Sequence, residues 1–92
     1  MTMEHVHGRS AGPVTLYALS TCVWCRKTRQ LLDQLGVAYD YEYVDLVPSS
    51  ERTAVMGLVR RWNPGGSFPT LVINNRAIVG FRENEIRDAL KP

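Results

Sequence analysis

Residues Val14 to Leu19 read VTLYAL, an apolar run too short to be a helix and rich in strand-forming side chains. Within a few residues the pattern becomes helical. From about Val23 to Leu35, Thr28, Leu31, Leu32 and Leu35 fall on one face, while Arg26, Lys27, Arg29, Gln30, Asp33 and Gln34 point largely outward. Ser20 and Thr21 offer side-chain oxygens at the helix start, and Gly36 supplies its stop. A strand that runs directly into a helix returns its chain to the sheet by a right-handed crossover, so the next strand lies parallel to the first. This junction places the chain among α/β folds.

The remaining pattern agrees. Tyr39 to Val44 alternates Tyr39, Tyr41 and Tyr43 with Asp40, Glu42 and Val44, as a second strand does. Pro48, Ser49 and Ser50 open a second helix with the stripe Val55, Leu58, Val59 and Trp62, broken by Asn63-Pro64-Gly65-Gly66. Thr70 to Ile73 and Arg76 to Val79 form a hairpin around Asn74-Asn75, because Asn tolerates the left-handed conformations a tight turn needs. Gly80 interrupts, and a last helix turns Ile86, Ala89 and Leu90 inward with Glu83 and Glu85 in its first turn. The order β-α-β-α-β-β-α predicts one α/β domain over residues 14–92, a mixed four-stranded sheet with three helices. Residues 1–13 follow neither period and carry Gly8, Ser10, Gly12 and Pro13, so they read as a mobile tail with solvated His5 and His7. They also lack the apolar centre of a secretory signal.

Composition narrows the function classes. A chain of 92 residues has room for one domain, and its 45% hydrophobic and 22% charged residues are ordinary for a globular one. No apolar run is long enough to span a bilayer. A net charge of +2 gives no reason to expect nucleic acid or a membrane surface as a partner. Two cysteines are too few for a disulfide scaffold or for a four-thiolate metal site within one chain.

Those cysteines stand in Cys22-Val23-Trp24-Cys25, at the strand-to-helix turn, where their spacing lets the sulfurs approach disulfide distance. Free backbone N–H groups and the helix dipole favour an anionic sulfur at Cys22, and Arg26, Lys27 and Arg29 add positive potential. Cys22 therefore suits the attacking thiolate, and Cys25, further into the helix, the resolving thiol. Cys22 would open a substrate disulfide as a mixed disulfide, and Cys25 would displace the reduced substrate. A second reductant would then restore the dithiol. A structural disulfide would gain little from so short a loop. Zinc or an iron–sulfur cluster shared between two copies is the competing class.

With Phe68-Pro69-Thr70 further along, the chain resembles a glutaredoxin of the thioredoxin superfamily from Val14 to about Leu90. The resemblance implies a thioredoxin-like fold and dithiol–disulfide oxidoreductase activity. It also implies a cis proline at Pro69, preceded by Phe68, whose backbone pairs with substrate. The implied substrate-binding rim is Trp24, Phe68, Pro69, Thr70, Gly80 and Phe81. The alternative for Phe68 and Phe81 is a place in the core, capping a small sheet, and Trp62 is assigned to core by its position on the second helix's apolar stripe.

Three departures from glutathione-using members stand out. Val23-Trp24 replaces their Pro-Tyr, and Leu19 stands where they carry a basic residue. Val79-Gly80-Phe81-Arg82-Glu83 replaces two glycines followed by an acid, so Arg82 would meet the glutathione ammonium with like charge. No tightly bound cofactor is expected, and glutathione in the usual pose is disfavoured. Gly80-Phe81-Arg82 and the Cys-Val-X-Cys pattern are similar to NrdH-type redoxins, which draw electrons from a reductase protein and reduce ribonucleotide reductase. Arg61-Trp62-Asn63-Pro64 is closer to glutaredoxin-like proteins of anaerobic bacteria and archaea. The donor implied is a thioredoxin-type or ferredoxin-linked reductase. The expectation is a cytoplasmic monomer that reduces protein disulfides. The alternatives are a glutathione-dependent glutaredoxin and a dimeric iron–sulfur or zinc carrier using the same cysteines.

Overall fold

The computed structural model describes residues 3–92. Its strands are β1 (Glu4–Val6), β2 (Val14–Ala18), β3 (Tyr39–Tyr43), β4 (Thr70–Ile73) and β5 (Arg76–Val79), and its helices are α1 (Val23–Leu35), α2 (Ser49–Trp62) and α3 (Glu83–Ala89). They form one mixed sheet in the spatial order β1-β3-β2-β4-β5. The β2-α1-β3 crossover is parallel, with Leu16 opposite Tyr41 and Tyr17 opposite Glu42. β4 runs antiparallel to both β2 and β5. Asn74 and Asn75 take positive φ values of 49° and 67° at the hairpin, as their side chains allow.

β2 is the central strand, which explains its apolar run. Leu16 and Ala18 enter a core with Leu31, Leu32, Tyr39, Leu71, Ile78, Ile86 and Leu90, while Tyr17 joins Val44, Val55, Val59 and Val72 in a second one. Each fully buried aliphatic side chain of this kind stabilises the fold by roughly 1.5–3 kcal/mol relative to exposure. The expected helix stripes are the buried ones. Thr28, Leu31 and Leu32 are buried on α1 and Val55 and Val59 on α2, with Leu35, Leu58 and Trp62 packed at the core edges. Buried Thr28 is satisfied by donating its hydroxyl to the Trp24 carbonyl at 2.8 Å. Gly36 ends α1 in the left-handed region at φ 69°, with its N–H on the Asp33 carbonyl.

The expected four-stranded sheet and the tail without strand or helix need correction. β1 pairs antiparallel with β3 and adds a fifth strand at the sheet edge. Arg9 N–H donates to the Gly36 carbonyl at 2.7 Å, and Ala38 N–H donates to the Arg9 carbonyl at 2.9 Å. Arg9 also donates from its guanidinium to the Leu90 carbonyl. The segment is held by main-chain bonds, which leave no side-chain period behind. His5 Nδ1 lies 2.7 Å from Asp40 Oδ1. Met1 and Thr2, the start of the expected tail, lie outside the described residues. Among the described residues no helix is long and apolar enough to cross a membrane.

Candidate active site

The turn from β2 into α1 places the two thiols differently. Cys22 is itself the N-cap of α1, with extended φ −90° and ψ 121°, and its Sγ accepts the Cys25 N–H at 3.3 Å. This corrects the expectation that Ser20 and Thr21 cap the helix. A sulfur here receives a backbone donor that the helix leaves free. Ser20 instead turns away, donating its N–H and its hydroxyl to the two carboxylate oxygens of Asp45. These two bonds hold the Asp45 carboxyl below the usual carboxylate range. The Cys22 N–H closes the turn onto the Leu19 carbonyl. Arg52 of α2 fixes the Asp45 segment by donating to the carbonyls of Asp45 and Val47.

Cys25 completes the buried stripe of α1 at 1% exposure. Burial, reinforced by a hydrogen bond to the Cys22 side chain, pushes its thiol up to about 12, against the opposing effect of the Leu19 N–H on its sulfur. Both cysteines are free thiols, Cys22 partly exposed and Cys25 enclosed. One is accessible for attack and the other is held protonated within reach of it.

Beside them lies a groove of about 240 Å³ lined by Trp24, Phe68, Pro69, Gly80 and Phe81. The Phe68–Pro69 peptide is cis. Gly80 donates its N–H to the Pro69 carbonyl at 2.9 Å, joining the two walls. Trp24 and Phe81 stack with ring centroids 6.0 Å apart, and Lys27 Nζ stands 5.3 Å from the Trp24 ring centre. Phe81 packs on the main core and also lines the groove. A second, polar groove continues on the far side of Phe81, lined by Lys27, Gln30, Leu31, Gln34, Phe81 and Glu83. Among the described residues no group of three or more His, Cys, Asp or Glu side chains is arranged to hold a metal ion.

The glutaredoxin family model matches residues 14–78, the span from β2 through the hairpin. The chain belongs to the glutaredoxin family. As a family, glutaredoxins are thiol–disulfide oxidoreductases, and the Cys22/Cys25 pair is the part of this chain that such chemistry requires. Two solved archaeal structures are similar throughout. The methanoredoxin of Methanosarcina acetivorans is 48% identical, with a TM-score of 0.88 over 92% of this chain and 90% of that one. A glutaredoxin from Methanosarcina mazei Go1 is 52% identical, with a TM-score of 0.89 over 98% of this chain and 88% of that one. Glutaredoxin-C6 of Oryza sativa subsp. japonica is 25% identical over 77% of this chain, which spans 62% of that protein's length.

Within this glutaredoxin, five of the six expected rim residues line one groove, and one of them, Trp24, belongs to the turn of α1 that carries Cys22 and Cys25. Thr70 does not line the groove. Its side chain is fully buried and its hydroxyl donates to the Ser67 carbonyl at 2.8 Å. Sequence reading missed Asp45, which lies in the 3-10 turn Val44–Leu46 after β3, and Asn63, which appeared there only as part of a helix stop. The signal that could have found Asp45 is a carboxylate just past the end of the strand parallel to β2, level with the turn that β2 feeds.

Proposed function

We propose that this glutaredoxin reduces protein disulfides through the Cys22/Cys25 dithiol and is recharged by a reductase protein in preference to glutathione. One observation carries the reading: Cys22 holds a partly exposed sulfur at the N-cap of α1, while Cys25, one turn on, is buried and protonated. Cys22 attacks one sulfur of the substrate disulfide, and the other leaves as a thiolate that takes up a proton. Cys25 then loses its proton and attacks Cys22 in the mixed disulfide, releasing the second substrate thiol and leaving a Cys22–Cys25 disulfide. Two electrons pass from the dithiol to the substrate, and a donor returns them.

The surroundings support the preference for a protein donor. Leu19 sits among apolar side chains of the second core and offers no cation to a peptide carboxylate. Arg82 bonds the Val79 carbonyl and stands 3.8 Å from Glu85, while Glu83 is paired with Arg87 at 2.8 Å. A free ammonium would thus meet a cation and an engaged acid. Burial of Cys25 works against a four-thiolate metal site between two copies, so the reading is of a monomer without a resident cofactor. Its place is a reducing compartment such as the cytoplasm, where a free dithiol is maintained.

The deciding test is trapping. Cys25→Ser is expected to accumulate a mixed disulfide with a protein substrate through Cys22, and Cys22→Ser is expected to form none. Full disulfide-reducing activity in both variants would end the proposal. For the donor, oxidised protein is offered glutathione, an NADPH-dependent thioredoxin reductase and a ferredoxin-linked reductase in parallel. Glutathione is expected to be the slowest.

A further inference from the structure

Phe68 and Pro69 form one wall of the groove, yet they precede β4 and have no place in its ladder. Most of what fixes them lies behind the wall. Asn63 Nδ2 reaches the Ser67 carbonyl at 3.0 Å, the Ser67 hydroxyl at 3.1 Å and the Thr70 hydroxyl at 3.1 Å. The Thr70 hydroxyl in turn donates to the Ser67 carbonyl. Asn63 is 7% exposed and Thr70 0%. Asn63 is itself anchored to α2, its N–H on the Val59 carbonyl and its carbonyl receiving the Gly66 N–H, both at 2.8 Å. One closed set of side-chain bonds therefore grips the residue before Phe68 and the residue after Pro69.

Stopping α2 and turning the chain needs only the two main-chain bonds of Asn63. Its amide and the Thr70 hydroxyl reach beyond that turn, to the two positions that flank the wall. We infer that Asn63 and Thr70 are positioning residues for substrate docking, holding Phe68 and Pro69 where a polypeptide joined to Cys22 must lie. This rests on the disulfide-exchange reading above. The residue types suit the task, since the two N–H donors of an amide can be shared among the three oxygens within reach, and a threonine hydroxyl both donates and accepts. Buried polar networks that are satisfied in this way rigidify what they hold, and a binding wall works only while its supports are fixed. Cys22 is carried by a different element, so loosening the wall alters how well a substrate is held and leaves the thiol's own reactivity alone.

Thr70→Val removes the hydroxyl at nearly constant volume, and Thr70→Ser restores it. The measurement is single-turnover reduction of a disulfide-bonded peptide by the pre-reduced protein, as a function of peptide concentration. In Thr70→Val the half-saturating concentration should rise by about three- to tenfold, the range that a lost neutral hydrogen bond gives. Thr70→Ser should return close to the native value, and alkylation of Cys22 by iodoacetamide should keep its native rate in both. Asn63→Ala, checked for its fold by circular dichroism, repeats the test from the other end of the network. Native half-saturation in Thr70→Val and Asn63→Ala, or no rescue by serine, overturns the inference. So does a fall in alkylation that parallels the change in half-saturation. If the native protein fails to reduce the peptide, the exchange reading falls and takes this inference with it.

Discussion

Cys25 couples the chemistry of the site to the stability of the fold. Its thiol is pushed up to about 12 by burial and by the bond to Cys22, against an ordinary value of 9.0. Through that interval the folded protein keeps a proton that the unfolded chain has lost. Fewer protons are bound in the unfolded state, so stability falls as pH rises. The contribution is fully present below pH 9.0 and is lost progressively toward about 12. Urea unfolding of the reduced protein should show this alkaline decline, and Cys25→Ala should show a shallower one. Tyr39 also titrates near 12, raised first by its burial, but it is common to both proteins and cancels in the comparison. Identical slopes in the two proteins would mean that Cys25 is not held protonated by the fold. The proposed role of Cys25, a resolving thiol that stays neutral until the mixed disulfide forms, would then lose its physical basis.

At the scale of elements, the N-terminal segment depends on one glycine. A Cβ at Gly8 would stand 2.6 Å from the Gly36 carbonyl oxygen and 2.6 Å from the Val37 carbonyl carbon, contacts that backbone atoms cannot relieve. Gly8→Ala should therefore displace Arg9 from the end of α1 and weaken the β1–β3 pairing. We expect a loss of roughly 1–3 kcal/mol, the overpacking range. Amide exchange should speed up at Arg9 and Ala38. Cys22 alkylation, at the opposite end of α1, should not change, and native exchange rates would show that the segment docks in some other way. The same segment shows what a sequence hides. β2, α1, β3, α2 and the Asn74-Asn75 hairpin were legible because their side chains alternate or recur at helical spacing against a core. β1 is three residues bonded through its main chain to a sheet edge, and such bonding places no demand on side-chain order. The site divides in the same way. Cys22, Cys25 and the groove residues are marked by spacing and by resemblance to a family, whereas Asp45, Asn63 and the inward turn of Thr70 belong to hydrogen-bond networks with no period.

At the scale of the whole molecule, the exposed apolar surface is concentrated at the cysteine end. Among the described residues the large hydrophobic side chains left exposed are Val23 at 54%, Trp24 at 55% and Leu46 at 66%. Val23 and Trp24 lie between the cysteines, and Leu46 follows the Asp45 that grips Ser20. On the reading proposed above, partner recognition is expected on this exposed apolar rim. Trp24 is the natural anchor, because it combines a large exposed ring with a fixed orientation against Phe81. Its removal takes away little core packing, and Trp24→Ala should shift stability by no more than about 0.5–1 kcal/mol. Its effect on recognition should be larger. The rate at which a reductase protein recharges the oxidised protein, divided by the rate with dithiothreitol, should fall by at least about tenfold, as expected for loss of an interface anchor. Dithiothreitol is too small to need the rim, so the ratio separates docking from thiol reactivity. An unchanged ratio would mean that protein partners approach from another side of Cys22 and that the Trp24–Phe81 stack serves only to cover α1.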